Sequence, residues 1–200
     1  MGGRGGDPTR SPEDGLWTQH LYGETRRWLG PAHGFAGCAL ALADLPDVTE
    51  TLERFAVAED GLVNWPPLAG TRLEAQRDGL IRMQWCHGSP GMVATLAPFM
   101  DEPLAIAAGE LTWRAGPLRK GATLCHGTAG NGYAFLALLE RTGDEVWLER
   151  ARAFAMHAAE QVERARADYG RGRYSLWSGD LGTALYLADC IDGRGKLPLP

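Results

Sequence analysis

A short glycine motif that recurs along the chain is the feature that most limits its fold. The sequence His-Gly-x-x-Gly occupies residues 33–37, 87–91 and 126–130, and a degenerate copy, Ser-Gly-Asp-Leu-Gly, occupies residues 178–182. The first glycines of successive copies are 54, 39 and 52 residues apart. Intervals of this size hold two helices and their connections, so the repeat predicts stacked helical hairpins.

Each motif is followed by a stretch that is apolar and almost without charge. The four stretches are residues 38–45, 92–100, 131–139 and 183–187. A helix that is apolar around its whole circumference must be surrounded by protein. Residues 144–167 instead place their apolar side chains along one face, as an amphipathic helix does. We therefore expect each repeat to pair one buried helix with one half-exposed helix.

Composition supports a helical fold. The chain has 28 alanines and 26 leucines but only 9 valines and isoleucines together, and helices favour Ala and Leu where strands favour β-branched residues. Helical hairpins that close around an axis form an α/α toroid, in which the inner helices run parallel and begin at one end. We expect an all-α chain with a partial α/α toroid over residues 16–192, a disordered tail over 1–15 and a second tail over 193–200. Within the toroid, Asp47 and Glu50 have the spacing of a capping box that opens a further helix.

Charge and hydropathy exclude several functional classes. The net charge is −5, whereas general nucleic-acid binders usually carry a basic excess. No apolar run approaches the roughly 18–20 residues that cross a bilayer. The N-terminus lacks the apolar segment of a signal peptide, and four cysteines do not form a dense disulfide framework. These observations predict a cytoplasmic protein with neither a nucleic-acid partner nor a membrane span.

Two Cys-His pairs place candidate metal ligands in the converging motif loops. Cys86-His87 and Cys125-His126 lie at equivalent positions of neighbouring repeats. Cysteine and histidine are zinc ligands, and a catalytic zinc site keeps one of its four positions open. Helix N-termini would also lower the thiol pKa values and favour thiolates. The alternative is that the motif is only a turn device, with two buried cysteines and two hydrogen-bonded histidines.

His33 and Lys120 are the other candidate site residues. His33 opens the first motif without a neighbouring cysteine, so it suits a general acid or base, or a histidine that holds a loop carbonyl. Lys120, five residues before Cys125, would stabilise a zinc-thiolate cluster or an anionic substrate, or form a solvated pair with Arg119. We assign no site role to the remaining cysteines and histidines, which are Cys38, Cys190, His20 and His157.

These motifs resemble those of the lanthionine synthetase C-like family. Segments 30–37, 84–91 and 124–136 are similar to the family's motifs in order, and segment 174–182 matches the last motif more loosely. The resemblance covers about residues 16–192. It implies a barrel of seven helical hairpins, of which four are visible here, so we expect a C-terminal portion that lacks the N-terminal hairpins. The open apolar edges of such a portion predict self-association or a partner chain that completes the barrel.

The resemblance also implies a site and a reaction. One zinc ion would be held by Cys86, Cys125 and His126, with a substrate thiol at the fourth position. His33 matches the family's acid or base, and Lys120 matches a position that contacts glutathione. The implied reaction is Michael addition of glutathione or a peptide cysteine to dehydroalanine or dehydrobutyrine in a peptide or protein.

Two other functions remain to be weighed. A chain that lacks the N-terminal hairpins could be a non-catalytic remnant that binds zinc or glutathione. A carbohydrate-active α/α toroid would need paired carboxylates in the converging loops, and Asp180 is the only carboxylate inside a motif.

Overall fold

The computed structural model describes residues 10–21, 23–42, 45–70 and 82–198. Helices dominate this part of the chain: α1 (Phe35–Ala41), α2 (Val48–Phe55), α3 (Ser89–Leu96), α4 (Glu102–Ala115), α5 (Thr128–Thr142), α6 (Val146–Tyr169), α7 (Asp180–Asp192) and a 3₁₀-helix (Ala97–Phe99). Two short antiparallel hairpins accompany the helices: β1 (Gln19–Leu21) with β2 (Glu24–Arg26), and β3 (Val57–Glu59) with β4 (Leu62–Asn64). The all-α prediction is confirmed, and the hairpins are small additions to it.

The helices that follow the motifs form an inner layer. They pack in sequence order, α1 against α3, α3 against α5 and α5 against α7. α3 and the first half of α5 are buried on nearly every side, whereas α6 buries one face only. α4 and α6 pack on the outside of this layer, α4 against α3 and α5, and α6 against α5 and α7. Buried and half-exposed helices therefore alternate, as a partial α/α toroid requires.

The two glycines of each motif start the following helix. The first glycine is the N-cap residue of α1, α3, α5 and α7. Gly88 has a φ of +96°, in the left-handed region that residues with a Cβ rarely adopt. A Cβ on the second glycine would collide with the main-chain carbonyl six residues earlier, which is that of Trp85 for Gly91 and that of Leu124 for Gly130. Backbone sterics thus explain the glycines as a turn device, independently of any chemistry in the loops.

Two of the predicted apolar helices end earlier than expected. α1 stops at Ala41, and the predicted stretch continued to residue 45; residues 43–44 lie outside the described part. α3 stops at Leu96 and continues as the 3₁₀-helix, which carries Pro98 near its start. Proline has no N–H and clashes with the preceding turn, so it ends the regular hydrogen-bond pattern there.

α7 departs from the prediction that every such helix is enclosed by protein. Leu181 is 51% exposed, Leu185 36% and Ile191 77%, and the exposed Ala184 and Ala188 complete the same face. None of the described residues covers this apolar face, so α7 forms an edge of the partial toroid. Self-association or completion by a partner chain stays a prediction, which the molar mass in solution tests.

The capping hydrogen bond predicted at the start of α2 is not formed. Asp47 is the N-cap residue, as expected, but its side chain makes no capping hydrogen bond. Its backbone is left-handed, with a φ of 67°, whereas a capping side chain needs an extended backbone to reach the free amides. The helix start is therefore correct and the bond that was expected to hold it is not formed.

Asn64 ties the β3–β4 hairpin to the start of α3. Its side-chain oxygen accepts hydrogen bonds from the Ser89 amide at 2.8 Å, the Ser89 hydroxyl at 2.9 Å and the Trp65 amide at 2.9 Å. Asn64 is only 2% exposed. We expect Asn64→Ala to lower the free energy of unfolding by about 2–3 kcal/mol, because buried donors lose their acceptor. Urea denaturation measures this loss.

Thr49→Ala is the matched control for Asn64→Ala. The Thr49 hydroxyl donates to the Phe99 carbonyl at 2.7 Å on an exposed surface, where water can replace the bond. We expect this variant to lose about 1 kcal/mol or less. Equal losses in the two variants would contradict the role given to Asn64.

Parts of both predicted tails contact the domain. The Arg10 guanidinium lies over the Trp17 ring, 5.2 Å from its centroid, and the Ser11 amide donates to the Leu16 carbonyl at 2.8 Å. At the other end, Leu197 is buried and Lys196 pairs with Glu140. Residues 1–9 and 199–200 lie outside the described part, so the domain boundaries stay predictions. No helix among the described residues has the length and apolarity to cross a membrane.

Candidate metal centre

Main-chain hydrogen bonds connect the motif loops directly. The Cys86 amide donates to the Cys125 carbonyl at 3.1 Å, and the Cys125 amide donates to the Trp177 carbonyl at 2.9 Å. Gly30, in the first loop, packs so closely on the Cys86 carbonyl that a Cβ there would collide with it. The four loops that precede α1, α3, α5 and α7 therefore meet at one end of the inner layer, as the repeat predicted.

The Cys86 and Cys125 side chains lie close enough in this loop cluster for each to shift the pKa of the other. The pKa of Cys125 is lowered to about 5, most by interaction with Cys86 and further by interactions with His126 and His33, against the opposing effect of burial. Interaction with Cys125 and burial raise the pKa of Cys86 above its usual range. The two thiols thus titrate as a pair, in which ionisation of one opposes ionisation of the other; the expectation that helix N-termini favour both thiolates is wrong for Cys86.

The three motif histidines differ in exposure. His33 and His126 are exposed, and electrostatic interaction with each of them lowers the pKa of Cys125. His87 is buried, with its ring centroid 5.4 Å from that of Trp28. Burial lowers the pKa of His87 to about 4, and three neighbouring groups add repulsion: Arg82, His33 and Lys120. His87 is therefore neutral at pH 7, and within the described residues its Nδ1 has no hydrogen-bond partner.

A glutamine that sequence reasoning missed links Lys120 to the thiol pair. Gln84 Nε2 donates to Cys86 Sγ at 3.1 Å, and Gln84 Oε1 accepts from Lys120 Nζ at 3.2 Å. Lys120 was predicted as a substrate-binding residue, and here it lies beside the site with one bond to this amide. The position of Gln84 two residues before Cys86 was the available signal, but an amide carries no chemistry that points to a site by itself.

The cysteines and histidines without an assigned role lie elsewhere. Cys190 is 2% exposed and packs in the core, where burial raises its pKa to about 11. Cys38 is half-buried in α1. His20 Nδ1 contacts the Thr25 hydroxyl at 3.0 Å on the exposed β1–β2 hairpin, and His157 lies on α6.

The chemistry of the donor set fits zinc. Cys86 and Cys125 offer two sulfurs from adjoining loops, and His126 follows Cys125 in the chain; zinc accepts this combination of ligand types, with one position left for a substrate. In the part of the chain that the structure describes, however, no group of three or more His, Cys, Asp or Glu side chains is placed so that it could hold a metal ion. The three residues therefore fit zinc by their chemistry, and their side chains would have to come together around the ion.

The fold and the motif loops define a class of protein. It is an all-α repeat protein in which the loops of two repeats bring two cysteines together. The chain belongs to the lanthionine synthetase C-like family, because a sequence model of lanthionine synthetase C-like proteins matches residues 9–198. This match confirms the resemblance described above and the toroid class of the fold.

Two relatives are similar to the chain over most of its length. It is 36% identical to the glutathione S-transferase LANCL1 of Danio rerio, over 68% of this chain and 34% of that protein. It is also 36% identical to the LanC-like protein GCL1 of Arabidopsis thaliana, over 84% of this chain and 41% of that protein. The chain thus spans about a third to two fifths of the length of these relatives.

Proposed function

We propose that this chain binds one zinc ion through Cys86, Cys125 and His126 and adds a thiol to dehydroalanine or dehydrobutyrine in a peptide or protein. The observation that carries the proposal is the main-chain hydrogen bond from Cys86 to Cys125 at 3.1 Å, which brings cysteines of two separate repeats together. Family membership and similarity to a protein named as a glutathione S-transferase support thiol chemistry.

The donor residues divide into a buried part and an accessible part. Cys86 is buried, Cys125 is half-buried and His126 is exposed, so a ligand can approach from the His126 side. Bound there, zinc would act as a Lewis acid that lowers the pKa of a substrate thiol at its open position. The chain's own contribution is the lowered pKa of Cys125, which favours a thiolate in the pair.

His33 is the residue we propose for the proton transfers. Its imidazole is exposed and near enough to Cys125 to lower the pKa of that thiol. As sulfur bonds to the β-carbon, the electron pair of the C=C bond moves to the α-carbon, which takes a proton from the imidazolium form of His33. The proton released by the substrate thiol restores that form, so one thiol and one alkene give one thioether and nothing leaves.

A cavity beside Lys120 supports an anionic thiol such as glutathione as the sulfur donor. Its volume is about 270 Å³, and its lining carries four cations against one carboxylate: Lys120, Arg166, Arg171, Arg173 and Asp180. Glutathione carries two carboxylates, which excess positive charge would attract. A neutral peptide cysteine gains nothing from this cavity.

The addition reaction tests the function directly. Zinc-loaded protein is incubated with glutathione and a dehydroalanine peptide, and mass spectrometry follows a gain of one glutathione. We expect His33→Ala to slow the addition by about 100-fold or more while zinc stays bound, because a positioned acid–base group contributes roughly 10²–10⁴. His157→Ala, on the outer helix α6, should keep the wild-type rate. Wild-type protein that binds zinc but forms no product would overturn the catalytic proposal.

A non-catalytic role is the second candidate, favoured by the face of α7 that none of the described residues covers. In this case glutathione binds near Lys120 without addition to the peptide. Isothermal titration with glutathione, run on the same preparation as the addition assay, separates the two functions. Binding without product favours the remnant, and product favours the enzyme.

A further inference from the structure

Gln84 makes two contacts that hold its amide in one orientation. Lysine ammonium only donates hydrogen bonds, so the oxygen Oε1 must face Lys120 and the NH₂ group must face Cys86 Sγ. The side chain is 8% exposed, and its main chain is paired with His87 in both directions, at 3.0 and 2.9 Å. Burial and this pairing leave the amide little freedom to turn away.

The amide connects a positive charge to a sulfur without direct contact between them. Lys120 polarises the carbonyl of Gln84, which makes the Nε2–H group a stronger donor to sulfur. A donor at that sulfur fixes the direction of the side chain and restrains it. Residues in this second layer usually orient metal ligands, and their loss typically weakens metal binding 10–100-fold.

We propose that Gln84 is the positioning residue of the thiol pair, because its amide holds Cys86 Sγ beside Cys125 and keeps Lys120 at the edge of the site. The proposal rests on the proposed function for its metal-binding consequence. The positioning role itself does not rest on the proposed function, because the two hydrogen bonds of Gln84 are present in the protein without a metal ion. Lys120 then acts on the site through Gln84 in addition to any contact with a substrate.

Three variants and one control test the role of Gln84. Gln84→Met keeps the length of the side chain and removes both hydrogen bonds. Gln84→Glu keeps an acceptor for Lys120 but sets a carboxylate against the sulfur. Lys120→Met removes the charge and its hydrogen bond to Gln84 but leaves the bond from Gln84 to the sulfur. Gln161→Met is the control, because Gln161 also bonds at both amide atoms, to Thr128 and to Leu118, and neither bond involves a sulfur.

The first readout is zinc affinity, measured by competition with a chromogenic chelator. We expect Gln84→Met to weaken binding 10–100-fold, Gln84→Glu to weaken it at least as much, and Lys120→Met to weaken it less than Gln84→Met. With cobalt in place of zinc, the sulfur-to-metal charge-transfer band should shift in the Gln84 variants and not in Gln161→Met. Unchanged affinity and spectrum in Gln84→Met would overturn the proposal.

The second readout needs no metal. In chelator-treated protein, the reaction of Cys86 with a disulfide reagent is followed by mass mapping, and Gln84→Met should speed it about fivefold, the equivalent of one lost hydrogen bond. If the wild type binds no zinc but this acceleration is seen, the proposed function fails and the positioning role stands. If Gln161→Met accelerates Cys86 equally, or Gln84→Met leaves it unchanged, the positioning role fails.

Discussion

Cys125→Ala is expected to lower zinc affinity by well over 100-fold, more than the loss of a supporting residue costs. The variant removes the sulfur that Cys86, His126 and His33 all influence. It keeps the main-chain bonds to Cys86 and Trp177, because alanine retains the amide and the carbonyl. Competition with a chelator measures the affinity directly.

The Cys125→Ala substitution should also abolish the stabilisation of the fold by bound zinc. At a free zinc concentration about 1,000 times the dissociation constant, wild-type protein gains roughly 4 kcal/mol in the free energy of unfolding. Cys125→Ala should gain almost none of this. Cys190→Ala also removes a cysteine, but from the buried face of α7, and this variant should keep the zinc-dependent gain in stability. Equal stabilisation of Cys125→Ala and wild type would show that the ion binds elsewhere.

Gly130→Ala is expected to destabilise the fold by about 3 kcal/mol, the upper end of ordinary overpacking. The added methyl group would collide with the Leu124 carbonyl and lie 3.1 Å from Trp85 Cβ, and neither neighbour is a flexible side-chain tip. The start of α5 would have to move away from the loop that carries Cys125. Urea denaturation gives the loss of stability, and zinc affinity should fall with it.

Gly143→Ala separates this steric effect from the effect of backbone conformation. Gly143 ends α5 with a φ of 70°, and a Cβ there would meet nothing within 4 Å. We expect a loss of about 1 kcal/mol, the usual penalty of a left-handed alanine. A Gly130→Ala loss no larger than that of Gly143→Ala would contradict the close packing of the motif loops.

The repeat predicted the inner layer because its physical cause is local. The second glycine of each motif meets a carbonyl six residues earlier, so the turn and the helix start are encoded in one short segment. This is why α3, α5 and α7 begin at the motif glycines, and why equivalent loops could be expected to meet. How much of a helix is buried depends on distant parts of the fold. The exposed face of α7 could therefore not be predicted from the apolar sequence of that helix.

Some features had a sequence signal that was not used. Asp60-Gly61 between two short apolar runs is a strong signal for a tight hairpin turn, and both residues have positive φ, 50° and 75°. The β3–β4 hairpin could therefore have been predicted. The missing bond of Asp47 could not, since its left-handed backbone depends on how the chain enters α2.

The proximity of the Cys86 and Cys125 loops could be predicted from the sequence, and the hydrogen bonds around them could not. Equivalent repeat positions indicated that Cys86 and Cys125 would lie together, and they do. The bond from Lys120 to Gln84 joins residues 36 positions apart, and no spacing rule indicates such a pair. The metal ligands Cys86, Cys125 and His126 stay a proposal, as do the roles of His33 and Lys120.

X-ray absorption at the zinc edge of the loaded protein tests the central claim most directly, because it identifies the atoms bonded to the ion. Two separate repeats are proposed to supply both sulfurs. The account predicts two sulfur neighbours at about 2.3 Å and at least one nitrogen neighbour at about 2.0 Å, with one sulfur lost in Cys125→Ala. A zinc ion surrounded only by nitrogen and oxygen would contradict it.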